Sequence, residues 1–396
     1  MRIGINCFPL QANIGGIKQY FLSLFYYLSE NNGENEFVFF YFLPNVEELS
    51  KVISLENNNN AILLQSQSDI RRHLDKIDVY FCPFGSLSPR PLPLPTVVTL
   101  VDIQEVYYPE FFSFYGLLAR AYHYRGSTKM ADRVVTISHF SKNSIVEHHG
   151  IPSEKVIVAH LCADERFYRA PQIARQPVQC LPQKYVFFPA NYWQHKNHDL
   201  LLRAIQWVRV EKHIIVYVVL TGFPQKNGYP LEEKIAEYDL SDQVHQLGYV
   251  SVEEIAYLYL HAQLMVFPSL FEGFGIPLVE AMAAGCPVLA ANTTSLPEIG
   301  KDCVCYFDPL SVEDLGQNIL ILYNDNELRN NLIRRGSERA QEFSAARMAE
   351  VHLQAFDEAC HAYSFSRYLW LRWFYKYFHA IRILINFLWD LVRGRR

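Results

Sequence analysis

The feature that most restricts how this 396-residue chain can fold is a rhythm of short apolar runs alternating with amphipathic stretches of helical period, and that rhythm occurs twice. Runs of four to eight residues rich in Val, Ile, Phe and Tyr read as strands buried on both faces. Strands separated by helices call for a parallel sheet, because each parallel neighbour needs a crossover. In the first half the pattern predicts strands over Arg2–Phe8, Glu36–Leu43, Asp78–Cys82, Thr96–Val101, Arg133–Ile137 and Lys155–Ala159. Helices are expected at Gly16–Ser29 and Phe114–Met130, and the asparagine run 57–60 reads as loop. The pattern lapses over residues 171–183, where Pro171, Pro177 and Pro182 mark a linker. It then restarts with strands at Tyr185–Ala190, His213–Gly222, Gln243–Leu247, Leu264–Ser269 and Pro287–Ala291. The helices between and after them are Asn197–Val210, Val252–His261, Pro277–Ala284, Val312–Asn324, Asn326–Ser344 and Ala345–Ala362. The expected fold class is α/β: two doubly wound, Rossmann-like domains over 1–170 and 184–362, facing a cleft, with a helical extension over 363–396.

Composition narrows the setting. Half of the residues are hydrophobic and 19% are charged, so the chain folds rather than staying disordered. A net charge of −5 gives no global attraction to nucleic acid, and none is expected as a partner. The eight cysteines are scattered without a C-x-x-C pair, and Cys303 and Cys305 have no second ligand pair to complete a metal site. Buried free thiols in a reducing compartment are expected. No apolar run reaches the length of a membrane span, and Met1-Arg2 is followed by a short strand-like run, Ile3–Leu10, ending in a loop, rather than by a leader, which predicts a cytoplasmic location.

Three motifs carry chemistry. Gly15-Gly16 follows the first strand and opens a helix, where slim backbone and free N–H groups suit a phosphate. A plain tight turn explains this pair equally well. The spacing is not G-x-G-x-x-G, and no acidic residue ends the next strand, which disfavours a dinucleotide. The run Phe271-Glu272-Gly273-Phe274-Gly275-Ile276-Pro277-Leu278-Val279-Glu280 joins a strand end to a helix start. Its glycines keep the loop thin and its proline suits the first helical turn. The amides from Phe274 to Leu278 are expected to face a ligand, with Glu272 and Glu280 reaching its two ends. Asn191 to Asn197 then supplies Lys196 at another strand end, placed to neutralise a diphosphate leaving group. Lys196 in isolation reads as a solvated surface charge.

Taken together these stretches resemble glycosyltransferase family 4 (glycosyl transferase group 1), the retaining group with the GT-B fold. The resemblance runs from about Met1 to Ala362. It rests on the E-x₇-E stretch Glu272–Glu280, on Val266-Phe267-Pro268-Ser269 before it, and on Ser295-Leu296-Pro297-Glu298 and Cys305-Tyr306-Phe307-Asp308-Pro309 after it. Gly15-Gly16-Ile17-Lys18-Gln19-Tyr20 and Ile137-Ser138-His139-Phe140-Ser141-Lys142 match the first-domain motifs.

The resemblance implies a retaining hexosyltransferase, mannose-like or otherwise. It would move a sugar from a nucleotide-sugar donor to a polysaccharide or lipid-linked oligosaccharide. Glu272, Lys196 and Asp102 would be catalytic. Gly15, Gly16, Asn191, His195, Lys196, Phe274, Gly275, Ile276 and Glu280 would bind the donor, with Glu280 on the ribose and Glu272 on the sugar hydroxyls. No metal or other cofactor is implied, since Lys196 and helix N-termini supply the positive charge. Two positions depart from the pattern. Ala190 or Asn191 stands where the family carries an Arg, leaving Lys196 with His195 for assistance, and Val101 replaces a His before Asp102. These departures motivate a second reading, a non-catalytic nucleotide-sugar-binding relative that serves as a scaffold subunit of a membrane glycan-assembly complex.

Beyond Ala362 the chain is rich in Trp, Tyr and Phe. Arg372, Lys376, His379, Arg382, Asn386, Asp390 and Arg393 recur as one polar stripe on a helix. A wide apolar face with a basic stripe predicts a helix lying on a membrane surface, peripheral on its inner face. Packing on the first domain, or a dimer contact, accounts for the same pattern.

Overall fold

The computed structural model describes residues 1–11, 16–31, 33–55, 58–225 and 228–378, together with 381, 385 and 388. Gly15 and most of the tail's polar stripe beyond Arg372 lie outside the described residues. The chain divides into two compact units, Met1–Leu161 with Ala345–Arg396, and Cys162–Ser344.

The first unit holds a seven-stranded parallel sheet. Its strands are β1 (Arg2–Asn6), β2 (Glu36–Tyr41), β3 (Ala61–Leu63), β4 (Val79–Cys82), β5 (Thr96–Thr99), β6 (Arg133–Thr136) and β7 (Val156–Val158). The order is β3-β2-β1-β4-β5-β6-β7, with Ile3 paired to Phe37 on one side and to Val79 on the other. Every residue of β4 and β5 is buried, as strands covered on both faces must be. The helix Gly16–Glu30 turns Tyr20, Phe21, Leu24, Phe25 and Leu28 onto the sheet, a stripe of helical period. Strand β3 is not among the expected strands: it has three residues and none is fully buried, too little for a periodicity to register. The expected helix Phe114–Met130 is three pieces, Phe114–Arg120 and Gly126–Met130 flanking a π-helical turn at Ala121–Arg125. Arg90 grips that turn by donating to the carbonyls of Tyr122 and His123, both at 2.9 Å.

The second unit holds a six-stranded parallel sheet in the order β10-β9-β8-β11-β12-β13. Its strands are β8 (Val186–Pro189), β9 (Val218–Thr221), β10 (Val244–Gln246), β11 (Leu264–Phe267), β12 (Val288–Ala291) and β13 (Cys305–Phe307). The order reverses between β8 and β11, which sit side by side although 78 residues separate their first positions, Val186 and Leu264. In open α/β sheets the loops at such a reversal part and leave a crevice at the carboxyl ends of the strands.

The units differ from the expected domain boundaries at both ends. Residues 162–170 pack with the second unit, where Phe167 meets Tyr259 edge-on at 5.7 Å and the Tyr168 hydroxyl donates to the carbonyl of Ala340 at 2.8 Å. The helix Ala345–Ala362, expected to close the second domain, belongs to the first unit. Its small residues Ala349, Ala355 and Ala359 let it lie close, and Phe356 packs against Phe81 at 5.1 Å. A buried chain of polar groups pins it there. The His352 Nδ1 lies 2.7 Å from the carbonyl of Met348, its Nε2 lies 2.7 Å from the Tyr20 hydroxyl, and that hydroxyl lies 2.8 Å from the Thr99 hydroxyl. Burial pushes the imidazole of His352 down to about 4, so it is neutral and accepts from Tyr20 while donating to Met348.

Candidate functional site

The crevice at the β8–β11 reversal is built by two loops that hold each other. Chain leaving β8 reaches Trp193, makes a single 3-10 turn over Gln194–Lys196, and places Asn197 in the left-handed region at φ 58° before the helix His198–Lys212 begins. Asparagine tolerates that conformation, and its side chain ties three loops: Asn197 Nδ2 donates to the carbonyls of Pro268 at 3.1 Å and Pro309 at 3.2 Å. The amide of Leu270, just past β11, donates to the carbonyl of His195 at 2.8 Å.

Because β8 and β11 are neighbours, residues that follow them converge. Lys196 Nζ donates to Glu272 Oε1 at 2.6 Å, with the two side chains 17% and 12% exposed. The ammonium also sits over the Phe267 ring, 5.5 Å from its centre. One carboxylate oxygen is thereby engaged, and a carboxylate offers lone pairs on its second oxygen for a sugar hydroxyl. The backbone of Glu272 is held by the loop after β12: its amide donates to Thr294 Oγ1 at 3.1 Å, and Ser295 Oγ donates to its carbonyl at 2.9 Å. Thr294 adopts a φ of 52° to do so. Asn197, Thr294 and Ser295 were missed as positioning residues. The only signals for them were an Asn directly after Lys196 and the Ser295–Glu298 stretch, and neither reveals which loop it grips.

Gly275 begins the helix Ile276–Ala283 at φ 98°, and a Cβ there would come 2.8 Å from Leu296 Cδ2. Glycine is therefore required on both conformational and steric grounds. Pro277 has no N–H, and the Leu278 amide closes the first turn on the Gly275 carbonyl at 3.0 Å, so these two positions drop out of the expected row of amides from Phe274 to Leu278. Phe274 itself contributes a buried ring set edge-on to Phe343 at 5.5 Å. Glu280 lies in the second turn of the helix, with Oε2 3.4 Å from the hydroxyl of the buried Tyr259.

Two expectations change. The side chain of Asn191 is committed to the fold: its Oδ1 accepts from the amide of Phe223 at 3.0 Å, joining the loops after β8 and β9 where Gly222 leaves no room for a Cβ, which would lie 2.4 Å from the Ala190 carbonyl oxygen. His195 brings no charge to Lys196. Burial, with the Lys196 ammonium beside it, pushes its imidazole down to about 4, so at neutral pH it offers a hydrogen bond alone. Gly16 and Asp102 lie on the first unit, Gly16 as the first residue of the helix after β1 and Asp102 past β5. Asp102 Oδ1 accepts from the amide of Gln104 at 3.2 Å, starting the short helix Gln104–Tyr107. In the Ser138–Lys142 stretch, Ser138 caps the helix His139–His149 by accepting from the Ser141 amide at 3.0 Å.

A parallel sheet whose switch-point crevice carries a lysine, a paired glutamate and a helix start defines a class of anion-binding α/β domain. Comparison with known proteins specifies it further. Residues 172–339 match the family described as Glycosyl transferases group 1. It is 30% identical over 227 residues to O-antigen chain mannosyltransferase B of Escherichia coli, covering 55% of this chain and 58% of that protein. It is 32% identical over 231 residues to the MMP alpha-(1->4)-mannosyltransferase of Mycolicibacterium hassiacum, covering 57% and 54%. The chain thus spans little more than half the length of these curated relatives. Among solved structures, Anabaena HepE in complex with UDP superposes with a TM-score of 0.69 at 17% identity, over 90% of this chain and 99% of that one. A glycosyltransferase from Rickettsia africae superposes with a TM-score of 0.68 at 18% identity, over 90% and 98%. The two parallel sheets with their helices are the GT-B pair of Rossmann-like domains.

Proposed function

We propose that this protein is a retaining glycosyltransferase that moves a hexose, mannose or a close relative, from a nucleotide-sugar donor to a glycan or lipid-linked glycan. The observation that carries the reading is the Lys196–Glu272 pair at the β8–β11 reversal, 2.6 Å apart beside the start of the helix Ile276–Ala283. Lys196 and that helix start stabilise the departing diphosphate. Glu272, fixed by Thr294 and Ser295, accepts from the sugar hydroxyls, and Glu280 accepts from the ribose. The acceptor belongs to the loops of the first unit, with Asp102 among them. Retention follows if the departing phosphate oxygen takes the acceptor's proton on the same face of an oxocarbenium-like sugar. The mannosyltransferase relatives support the choice of sugar, and the UDP complex of HepE supports a nucleotide donor.

A thermal-shift panel of UDP, GDP, ADP and their hexose conjugates tests donor binding. A ligand at about one hundred times its Kd adds roughly 2.7 kcal/mol, which moves the melting point by a few degrees. One base is expected to stabilise the wild type and to lose that effect in Glu280→Ala. Binding without any turnover would favour the scaffold-subunit reading, which Val101 and the committed side chain of Asn191 motivate.

The tail adds a place of work. No helix among the described residues is long and apolar enough to cross a membrane. The helix Phe365–Tyr377 sets Tyr368 and Leu371 against the core of the first unit and leaves Phe365, Leu369, Trp370 and Trp373 about half exposed. That outward face supports peripheral attachment to a membrane surface. Trp370→Ala with Trp373→Ala is expected to lower flotation with phosphatidylglycerol-containing vesicles at least tenfold, since each aromatic returned to water costs about 1.5–3 kcal/mol. Equal flotation of variant and wild type would remove the membrane reading.

A further inference from the structure

On the first unit, at the amino ends of β6 and β7, lies an open hollow of about 490 Å³. This is the sheet edge opposite the one that carries Asp102. Lys129, Arg133, Lys155 and Arg367 line it, against the carboxylates of Asp132 and Glu154.

The bonds of Asp132, Arg133, Arg367 and Lys155 show how these charges are already engaged. Asp132 is spent: Oδ1 accepts from Arg367 at 2.7 Å, and Oδ2 accepts from the amide and hydroxyl of Thr96 at 2.9 and 3.0 Å. Arg133 Nε donates to Glu358 at 2.9 Å. Arg367 turns its other nitrogen to the carbonyls of Lys129, Met130 and Ala131, each at 3.2 Å. Lys155 Nζ donates to the carbonyl of Lys129 at 3.0 Å, a neutral acceptor for a group that has three donors when protonated. Burial and the neighbouring Arg367 push Lys155 down to about 7, and an anion in the hollow would restore its proton. Glu154, at the rim, is exposed.

The hollow is continuous with the tail. Arg367, which forms one of its walls, faces inward in the first turn of the helix whose outward side carries Phe365, Leu369, Trp370 and Trp373. An anion that reaches the hollow while those rings lie among acyl chains is part of the same bilayer surface. We propose that this hollow is a site for the phosphate of an anionic lipid headgroup, filled when the outward face of the helix Phe365–Tyr377 lies in a membrane surface. The inference rests on the peripheral-membrane reading given above and adds to it a headgroup preference and the residues that set it.

Vesicle flotation of the full chain tests it, using phosphatidylglycerol mixed with phosphatidylcholine against phosphatidylcholine alone. Lys155→Gln and Lys129→Gln are each expected to lower partitioning onto the anionic vesicles about fivefold, the usual effect of one basic charge at such a surface. Glu154→Gln is expected to raise it by a similar factor, a gain that no folding defect produces. Melting temperature and the nucleotide-induced shift should stay at wild-type values in all three. Unchanged partitioning of the three variants, with loss confined to Trp370→Ala and Trp373→Ala, would overturn the headgroup site and leave the membrane reading standing. Equal binding of the wild type to phosphatidylcholine alone would overturn the site as well. If the wild type floats with neither vesicle, both readings fail. Stabilisation by inorganic phosphate without vesicle binding would also overturn the lipid assignment and make the hollow a free-phosphate site.

Discussion

Lys196→Ala is expected to lower kcat/KM for sugar transfer by about 10²–10³, or roughly 2.7–4 kcal/mol, the usual effect of removing one fixed electrostatic partner from developing charge. The effect should fall mainly on kcat, because the diphosphate gains most of its negative charge as the sugar leaves. The substitution also strips the partner from Glu272, whose side chain is 12% exposed, so a stability loss of about 1–3 kcal/mol accompanies it. The two effects separate in the double variant. Lys196→Ala with Glu272→Ala removes both charges, so it should recover part of the stability and none of the activity. Steady-state kinetics and chemical denaturation on the three variants check this. An alanine at 196 that leaves kcat/KM within threefold of wild type would show that the lysine does not face the leaving group.

Acid is expected to unfold this protein well before its carboxylates are titrated. His352 is pushed down to about 4 and His198 to about 3, and His149 lies well below the usual imidazole range, in each case chiefly because burial penalises the charged ring. The unfolded chain takes up a proton at each of these sites near pH 6.5, while the folded chain does so only near pH 4 at His352, near 3 at His198 and well below the usual imidazole range at His149. The unfolded state therefore binds more protons throughout that window, and stability falls as the pH falls from about 6.5, by up to about 1.4 kcal/mol per pH unit for each ring. Carboxylates held low by partners, such as Asp78 beside Arg2, keep their contribution above the unfolded carboxylate range and lose it as the pH falls from there through their own lowered range. His149 and His352 lie in the first unit, and His198 and His195, the latter also pushed down to about 4, lie in the second, so both units should share the dependence. Denaturant titrations at pH 7, 6 and 5 measure the slope. In His149→Asn, an amide nitrogen can keep the contact now made by Nδ1 to Thr128 Oγ1 at 2.9 Å but cannot titrate, and the slope should flatten by about one ring's worth. An unchanged slope would mean that His149 is not buried as a neutral ring.

Much of this architecture was legible in the residues because buried parallel strands and amphipathic helices have distinct periods. The helix Val252–His261 matches its expected range to the residue, since Ser251 and Glu254 cap it reciprocally and nothing remote has to intervene. What the sequence withheld was contact at long range. Lys196 and Glu272 could be named separately, but their 2.6 Å contact depends on β8 lying beside β11, and strand order is not written in periodicity. The helix Ala345–Ala362 shows its apolar stripe plainly, yet a stripe does not say which of two sheets it covers; the Tyr20–His352 bond at 2.7 Å assigns it to the first unit. Asn191 was read from its position next to β8, whereas its side chain turned out to answer a local need for an acceptor at the Phe223 amide. The basic hollow was invisible for the same reason, because its four cations come from segments as far apart as Lys129 and Arg367.

The central claim is that the crevice at the β8–β11 reversal holds a nucleotide sugar and transfers its hexose. The direct measurement is release of nucleoside diphosphate from GDP-, UDP- and ADP-hexoses, with wild type and Glu272→Ala side by side and nucleotide binding recorded for both. One donor turned over by the wild type, at least a hundredfold more slowly by the variant while the variant still binds the nucleotide, is the predicted result. Equal turnover by the two proteins, or a wild type that binds none of the nucleotides, would contradict it.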